Sequence, residues 1–432
     1  MIFQYILVII ISLLGLISIY FLFKYPEIAF GLFLIAGIYK GYIRSINVLP
    51  SYFDLTVFFG LVVGISIIFN VLKNRIKIPK ISSKFFVPYF ILIIIMLGSL
   101  LYTQAPIYGK DKFLRFISIT TMAMFAPIFL FKDRKSLHRF FYVLIVISST
   151  MAVDSIANNL GIFELHEIFY SDYIDLGRIN ILVSLIIIFY FMENSKNINI
   201  KFVWCALFFI NIFGAFSDRG RMPVLAFIGT LIFLGVFSLT SLLIKKSPNK
   251  EKTLKTVFFT LLVVLLSFIF FHKQFSSLIM RMTLLTQGGG ESFLARLDLF
   301  NSSLKAFYKN PILGSGIGGF GIYYSGLDIR LYPHNMILEI GSELGILGLT
   351  SYFFLLGFCL MYFLALQKKY KEKRKYHSLL IAILVVFIFM FLNTMVSGDI
   401  NDNRLFFTWI GIIYSIGRIF REEESQLSIT NN

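Results

Sequence analysis

FFVPYFILIIIMLGSLL, Phe85 to Leu101, holds no charged side chain over nearly the ~20 residues that a helix needs to cross the hydrocarbon of a bilayer. Ile6 to Phe23 is equally free of charge. The whole chain follows suit: of its 432 residues 57% are hydrophobic, 15% are charged and 51 are phenylalanine, with a mean hydropathy of +0.81. Such a composition lies well outside that of a soluble domain and predicts a membrane protein. A spanning segment must satisfy its backbone hydrogen bonds internally, and runs of this length are too long for barrel strands, so the expected fold is all-α, a polytopic transmembrane helical bundle.

Hydropathy places thirteen candidate spans near 3–23, 26–43, 52–72, 85–103, 113–131, 139–157, 177–192, 200–216, 222–244, 254–272, 347–367, 378–396 and 404–420. The second is short and contains Lys40, which favours about 12 crossings, within 12–13. The first lacks a basic lead-in and a small-residue cleavage site, so it reads as a retained anchor. This divides the chain into a transmembrane bundle over 1–272 (about 9–10 spans), an extracytoplasmic loop over 273–346 with a motif pattern of its own, and a C-terminal part over 347–432 with three spans and a cytoplasmic tail.

Loop charges orient the bundle. Lys73–Lys84, Lys132–Arg139, Lys245–Lys255 and Lys368–Lys375 are short and dominated by Lys and Arg, as cytoplasmic loops are under the positive-inside rule. They account for most of the net charge of +17, so a nucleic-acid partner is not expected. The intervening segments then face outward: 158–176, the turn at Ser217–Arg221, 273–346 and Ser397–Arg404. Cys205 and Cys359 lie in apolar runs away from any His or Cys at ligand spacing, which supports neither a disulfide nor a zinc site. His166 in LHEIFY lacks the second histidine of a zincin helix.

The long outer segment carries its own pattern. In ESFLARLDLFNSSLKAFYKNP, Phe293, Leu297, Phe300, Leu304 and Phe307 recur at steps of three and four, which predicts an amphipathic helix ending before Pro311. It would lie near the interface with Arg296 in its first turns. Next comes GSGIGGFG, Gly314–Gly321, a literal G-x-G-x-x-G. A dinucleotide site needs this motif inside a βαβ unit; here a helix and Asn-Pro precede it and apolar spans flank it, so a sharp turn is expected instead. In YPHNMILEIGSELGILGL, Pro333 and the N-cap Asn335 start a helix at about Met336. That helix would carry Glu339 and Glu343 on one face and place His334 at its entrance; running on to Gln367 it would be longer than the membrane needs, so it either starts above the bilayer or bends near Gly341, Gly345 or Gly348. On the outer turn FSDRGRMPVLAF, Arg219 and Arg221 either snorkel to headgroups or bind phosphate through bidentate guanidinium donors. Asp399, Asp402 and Arg404 in SGDINDNR form either a solvated turn or a polar wall of a site.

In this order, DRG (Asp218–Gly220), ARLDLF, NPILGSGIGGFG and PHNMILEIGSELGILG resemble the O-antigen ligase and polymerase family of integral-membrane glycosyltransferases that act on undecaprenyl-diphosphate-linked oligosaccharides. The arginine motif of that family usually begins with serine, where this chain has Asp218. The resemblance implies inverting, metal-independent transfer on the extracytoplasmic face of the bacterial inner membrane, with no cofactor. It implies that Arg219 and Arg296 hold the donor diphosphate and that His334 acts at the acceptor hydroxyl. Arg221, Asn335, Glu339, Glu343, Asp399, Asp402 and Arg404 would line the site. The partners it implies are the lipid-linked oligosaccharide, an acceptor saccharide, the bilayer and a chain-length regulator.

Two activities share these motifs. A polymerase extends a lipid-linked chain, whereas a ligase moves the finished chain to lipid A core or a protein. Polymerases, the more numerous and diverse, are preferred. A flippase for lipid-linked saccharides is the reading from another class; it predicts internal repeats and a midplane site, but the halves show no repeat and the polar clusters fall at the outer face. Asp154, near a span end, is the main ionisable residue within the spans.

Overall fold

The computed structural model describes residues 17–45, 50, 53–74, 83–159, 173–217, 221–244, 258, 291–370 and 373–430. Among these, every regular element is helical. In chain order they are α1 Ile17–Lys24, α2 Pro26–Ser45, α3 Leu55–Leu72 and α4 Ser83–Ser99; α5 Pro106–Leu130; α6 Arg134–Asn159; α7 Ile174–Met192; then α8 Ile198–Ser217, α9 Arg221–Ile244, α10 Glu291–Lys309, α11 Gly319–Ser325, α12 Met336–Tyr370, α13 Arg374–Thr394 and α14 Arg404–Thr430. The protein is an all-α, multi-pass membrane protein. Among the described residues, 7 helices are long and apolar enough to cross a bilayer, or 8 counting the pair α1 and α2, which bends by 102° at Pro26. Two shorter apolar helices, Phe86–Ser99 and Met222–Val236, add to these. All but Phe258 of the candidate span at 254–272 and most of the one at 3–23 lie outside the described residues, as do 273–290 of the long loop.

Helix boundaries follow local chemistry. Asp54 caps α3, its Oδ1 accepting the amides of Thr56 (2.7 Å) and Val57 (3.3 Å), which satisfies two of the donors every helix start leaves over. The opening stretch folds as α4 despite Pro88 inside it, and the Pro88 carbonyl accepts the Ser351 hydroxyl of α12 at 2.5 Å. Along α3, Val57, Leu61, Ile65, Ile68 and Leu72 are all exposed, an outward apolar stripe that suits lipid rather than water.

The interior is aromatic. Trp409 of α14 stacks on Phe141 of α6 at 6.2 Å, and Phe407 meets Phe116 of α5 edge-on at 5.8 Å. Gly411 lets α14 lie directly on the Met124 carbonyl of α5, an approach a Cβ would block.

Charge is sorted to the bundle's ends. At one end, Glu423 of α14 pairs with Arg134 of α6 (2.9 Å) and Lys375 of α13 (2.6 Å). Glu424 pairs there with Lys373 and accepts from the Tyr370 hydroxyl of α12 at 3.0 Å. These cations belong to the basic stretches Lys132–Arg139 and Lys368–Lys375, so the structure gathers two of the basic loops at one end. The helices α12 and α13 run from there to the opposite end, where Asn335 and Met395 meet.

Candidate active site at a broken helix

The helix α12 is interrupted at Gly345, whose backbone (φ 62°, ψ −158°) is not helical. A break of this kind leaves carbonyls of the preceding turn and amides of the following turn without partners, a cost of several kcal/mol each in a bilayer if nothing replaces them. The stretch Pro311–Gly316, which opens the glycine run, supplies the replacements. The amides of Ser315 and Gly316 donate to the carbonyls of Ser342 (2.9 Å) and Glu343 (2.8 Å), while those of Ile346 and Leu347 donate to Pro311 (2.8 Å) and Ile312 (3.5 Å). Such close threading needs glycine. Gly314 and Gly316 have φ of 71° and 85°, and a Cβ on Gly316 would come within 2.6 Å of Thr103 Cα.

The short first half of α12 presents a polar corner at its start. Asn335 Oδ1 caps it by accepting the Leu338 amide at 3.0 Å, and Asn335 Nδ2 donates to the Met395 carbonyl at 3.1 Å. His334 sits in the left-handed region (φ 55°), uncommon for a non-glycine residue and a recurrent feature of functional sites. Its ring meets Tyr332 edge-on at 4.6 Å, and its buried Nδ1 has no hydrogen-bond partner among the described residues. Burial, reinforced by the positive charge of Arg296, depresses its pKa to about 4, so the imidazole is neutral at pH 7. Arg296 reaches this corner from α10, with Nη1 at 3.4 Å from the Val396 carbonyl.

The turn between α13 and α14 closes the corner. Fully buried Asp399 organises it: Oδ1 accepts the amides of Asn401 (2.9 Å) and Asp402 (2.7 Å), and Oδ2 accepts the Tyr108 hydroxyl of α5 (3.2 Å). Arg330 pairs with Asp399 at 3.3 Å and with both oxygens of Asp402 at 2.6 Å. Beneath lies a buried ionic triad, in which Lys112 Nζ of α5 is 2.5 Å from Glu339 and 2.6 Å from Glu343.

Compared with known families, residues 205–353 match the family model described as O-antigen ligase. The stretch carries an O-antigen ligase family domain. Members of this family are membrane glycosyltransferase-type enzymes of the ligase and polymerase kind. Among curated proteins, none matches the chain significantly.

The matched stretch runs from α8 into α12 and so includes Arg219, the Arg296 helix, the glycine run and His334. The structure brings His334, Arg296, Asn335, Asp399 and Asp402 to one end of the bundle, with Glu339 and Glu343 following on α12. Arg404 points elsewhere: its Nε donates to the Leu34 carbonyl of α2 at 3.1 Å and its guanidinium lies over the Phe33 ring. Arg219 lies outside the described residues; Arg221 begins α9 and its side chain is likewise outside them. Sequence reasoning missed Lys112, Tyr108 and Arg330. For Lys112 a signal existed, because two carboxylates four residues apart at the head of a long apolar helix call for a buried cation.

Proposed function

We propose that the protein is a polysaccharide polymerase that transfers an undecaprenyl-diphosphate-linked oligosaccharide onto a saccharide hydroxyl at the outer membrane face, in O-antigen, capsule or exopolysaccharide biosynthesis. The observation that supports this best is the neutral His334 beside Arg296, its buried Nδ1 unpartnered, at the end of the bundle away from the gathered basic loops.

The chemistry follows from those groups. The acceptor oxygen attacks the anomeric carbon as the bond to the diphosphate oxygen breaks, and configuration inverts. Undecaprenyl diphosphate leaves with both bonding electrons, and guanidinium groups of Arg296 and Arg219 neutralise it without a divalent ion. His334 accepts a hydrogen bond from the attacking hydroxyl and takes its proton. Although a base of pKa about 4 is weak, the hydroxyl becomes strongly acidic as its oxygen bonds to carbon, so orientation matters more than basicity. A bound diphosphate also offsets the positive charge of Arg296 and raises the imidazole pKa once the donor is in place.

The test is complementation of a strain lacking this gene with wild type or His334→Ala, followed by electrophoresis of surface polysaccharide. Loss of the ladder with single repeat units retained supports polymerase. A free, full-length chain that no longer reaches its acceptor assigns the ligase reaction instead, and unchanged polysaccharide in the His334 variant refutes the mechanism.

A further inference from the structure

The triad of Lys112, Glu339 and Glu343 has no part in the chemistry above, yet it is the most deeply buried ionic group of the described residues. The three side chains are 1%, 1% and 3% exposed. Burying ions costs desolvation free energy that their attraction seldom recovers in full, so such a group is poorly explained by stability and better explained by fixing a geometry. The ammonium reaches one oxygen of each glutamate, and the other oxygens, Glu339 Oε2 and Glu343 Oε1, have no hydrogen-bond partner among the described residues.

The position of the triad indicates which geometry it fixes. The break at Gly345 uncouples Met336–Leu344 from the remainder of α12, so the long helix cannot dictate where this short segment points. Glu339 lies one turn after the cap Asn335, and Glu343 one turn further. Lys112 grips both, and its own place on α5 is fixed from the other side: its carbonyl accepts Asn401 Nδ2 at 3.0 Å, and Tyr108, one turn earlier, bonds Asp399. The first turns of α5 thus hold the two walls of the His334 corner in one register.

We infer that Lys112 is a positioning residue: its ammonium, clamped between Glu339 and Glu343, sets where the short helix presents Asn335 and His334. A direct role toward a phosphate is disfavoured, since the ammonium is enclosed and two carboxylates would repel the anion. The inference rests on the proposed role of His334 for its consequence in activity, but not for its geometry.

The experiment uses the full-length protein in detergent, treated with diethyl pyrocarbonate, with carbethoxylation of each histidine followed by mass spectrometry. His138, bonded to Tyr190 at 2.6 Å near the opposite end, serves as internal reference. In Lys112→Met the modification rate at His334 is expected to change several-fold while that at His138 stays constant. Polysaccharide yield in the complemented strain is expected to fall on the order of 10²-fold, the effect of about 1 Å of misplacement. An unchanged His334 rate in folded protein overturns the inference. Should Lys112→Met not be recovered folded, Lys112→Met with Glu339→Gln and Glu343→Gln removes the unbalanced charge and is read in the same way. If His334→Ala leaves polysaccharide unchanged, the proposed function fails, while the His334 modification rate still decides the role of Lys112.

Discussion

Replacing Gly345 by alanine tests the central feature of the site, the break in α12 that the glycine run fills. The backbone at φ 62° and ψ −158° is a conformation nearly confined to glycine, and an L-residue there costs ~1–3 kcal/mol. The new Cβ would also run into the Ile312 carbonyl and sit 2.8 Å from the Gly314 amide nitrogen, so the glycine run must move away. The four hydrogen bonds that Pro311–Gly316 makes to α12 are worth ~0.5–1.5 kcal/mol each. Losing two of them brings the expected destabilisation to roughly 2–6 kcal/mol. Gly357→Ala is the matched control: it lies on the uninterrupted part of α12 with nothing within 4 Å of its would-be Cβ, and alanine there should stabilise the helix by ~0.5–1 kcal/mol. Thermal unfolding in detergent and polysaccharide yield in the complemented strain are the readouts. A Gly345→Ala protein that melts with Gly357→Ala and keeps full yield would refute the account of the break.

The remaining expectations concern Arg296 and His334. Arg296→Lys keeps the charge but loses the planar fork, and transfer should fall by at least an order of magnitude, read as initial rates with lipid-linked donor; an unchanged rate removes the bidentate argument. In the proposed mechanism His334 acts in its neutral form, so the acid limb of kcat/KM should lie near pH 4, where the imidazole of the unoccupied site titrates, with the limb of kcat displaced upward by the bound diphosphate. Arg296→Ala should raise the first limb by removing a like charge. Stability carries the same signature: the unfolded chain binds the His334 proton from about pH 6.5 and the folded chain only near 4, so this contribution is present above about 6.5 and is lost as pH falls between the two.

Much of the fold was legible because a bilayer demands it. Among the described residues, uninterrupted apolar runs fall where helices are, and small local signals held: the Asn335 cap and the helix over Glu291–Lys309 are present, and of the two alternatives for the over-long α12 it is the bend among its glycines that is found. The site was legible to the extent that its residues stand close in sequence to such signals, as His334 does beside Pro333 and Asn335. Gly314–Gly321 reads as a sharp turn, and its backbone indeed turns, but its amides also rebuild the hydrogen bonding of a helix some 30 residues on. No local pattern encodes that, because a backbone amide donates to whichever carbonyl the tertiary fold leaves empty.

The sequence by itself determined that this chain is a helical membrane protein, which of its loops are basic, and which of its motifs resemble the O-antigen ligase family. Those properties depend on side-chain type and spacing along one helix. Only the tertiary structure decided that Lys112 lies between Glu339 and Glu343, that Arg330 ties the 326–332 linker to Asp399 and Asp402, and that Arg404 turns to α2. A charge in an apolar setting must find a partner, and in sequence that partner can lie more than 200 residues away; the packing of whole helices selects it.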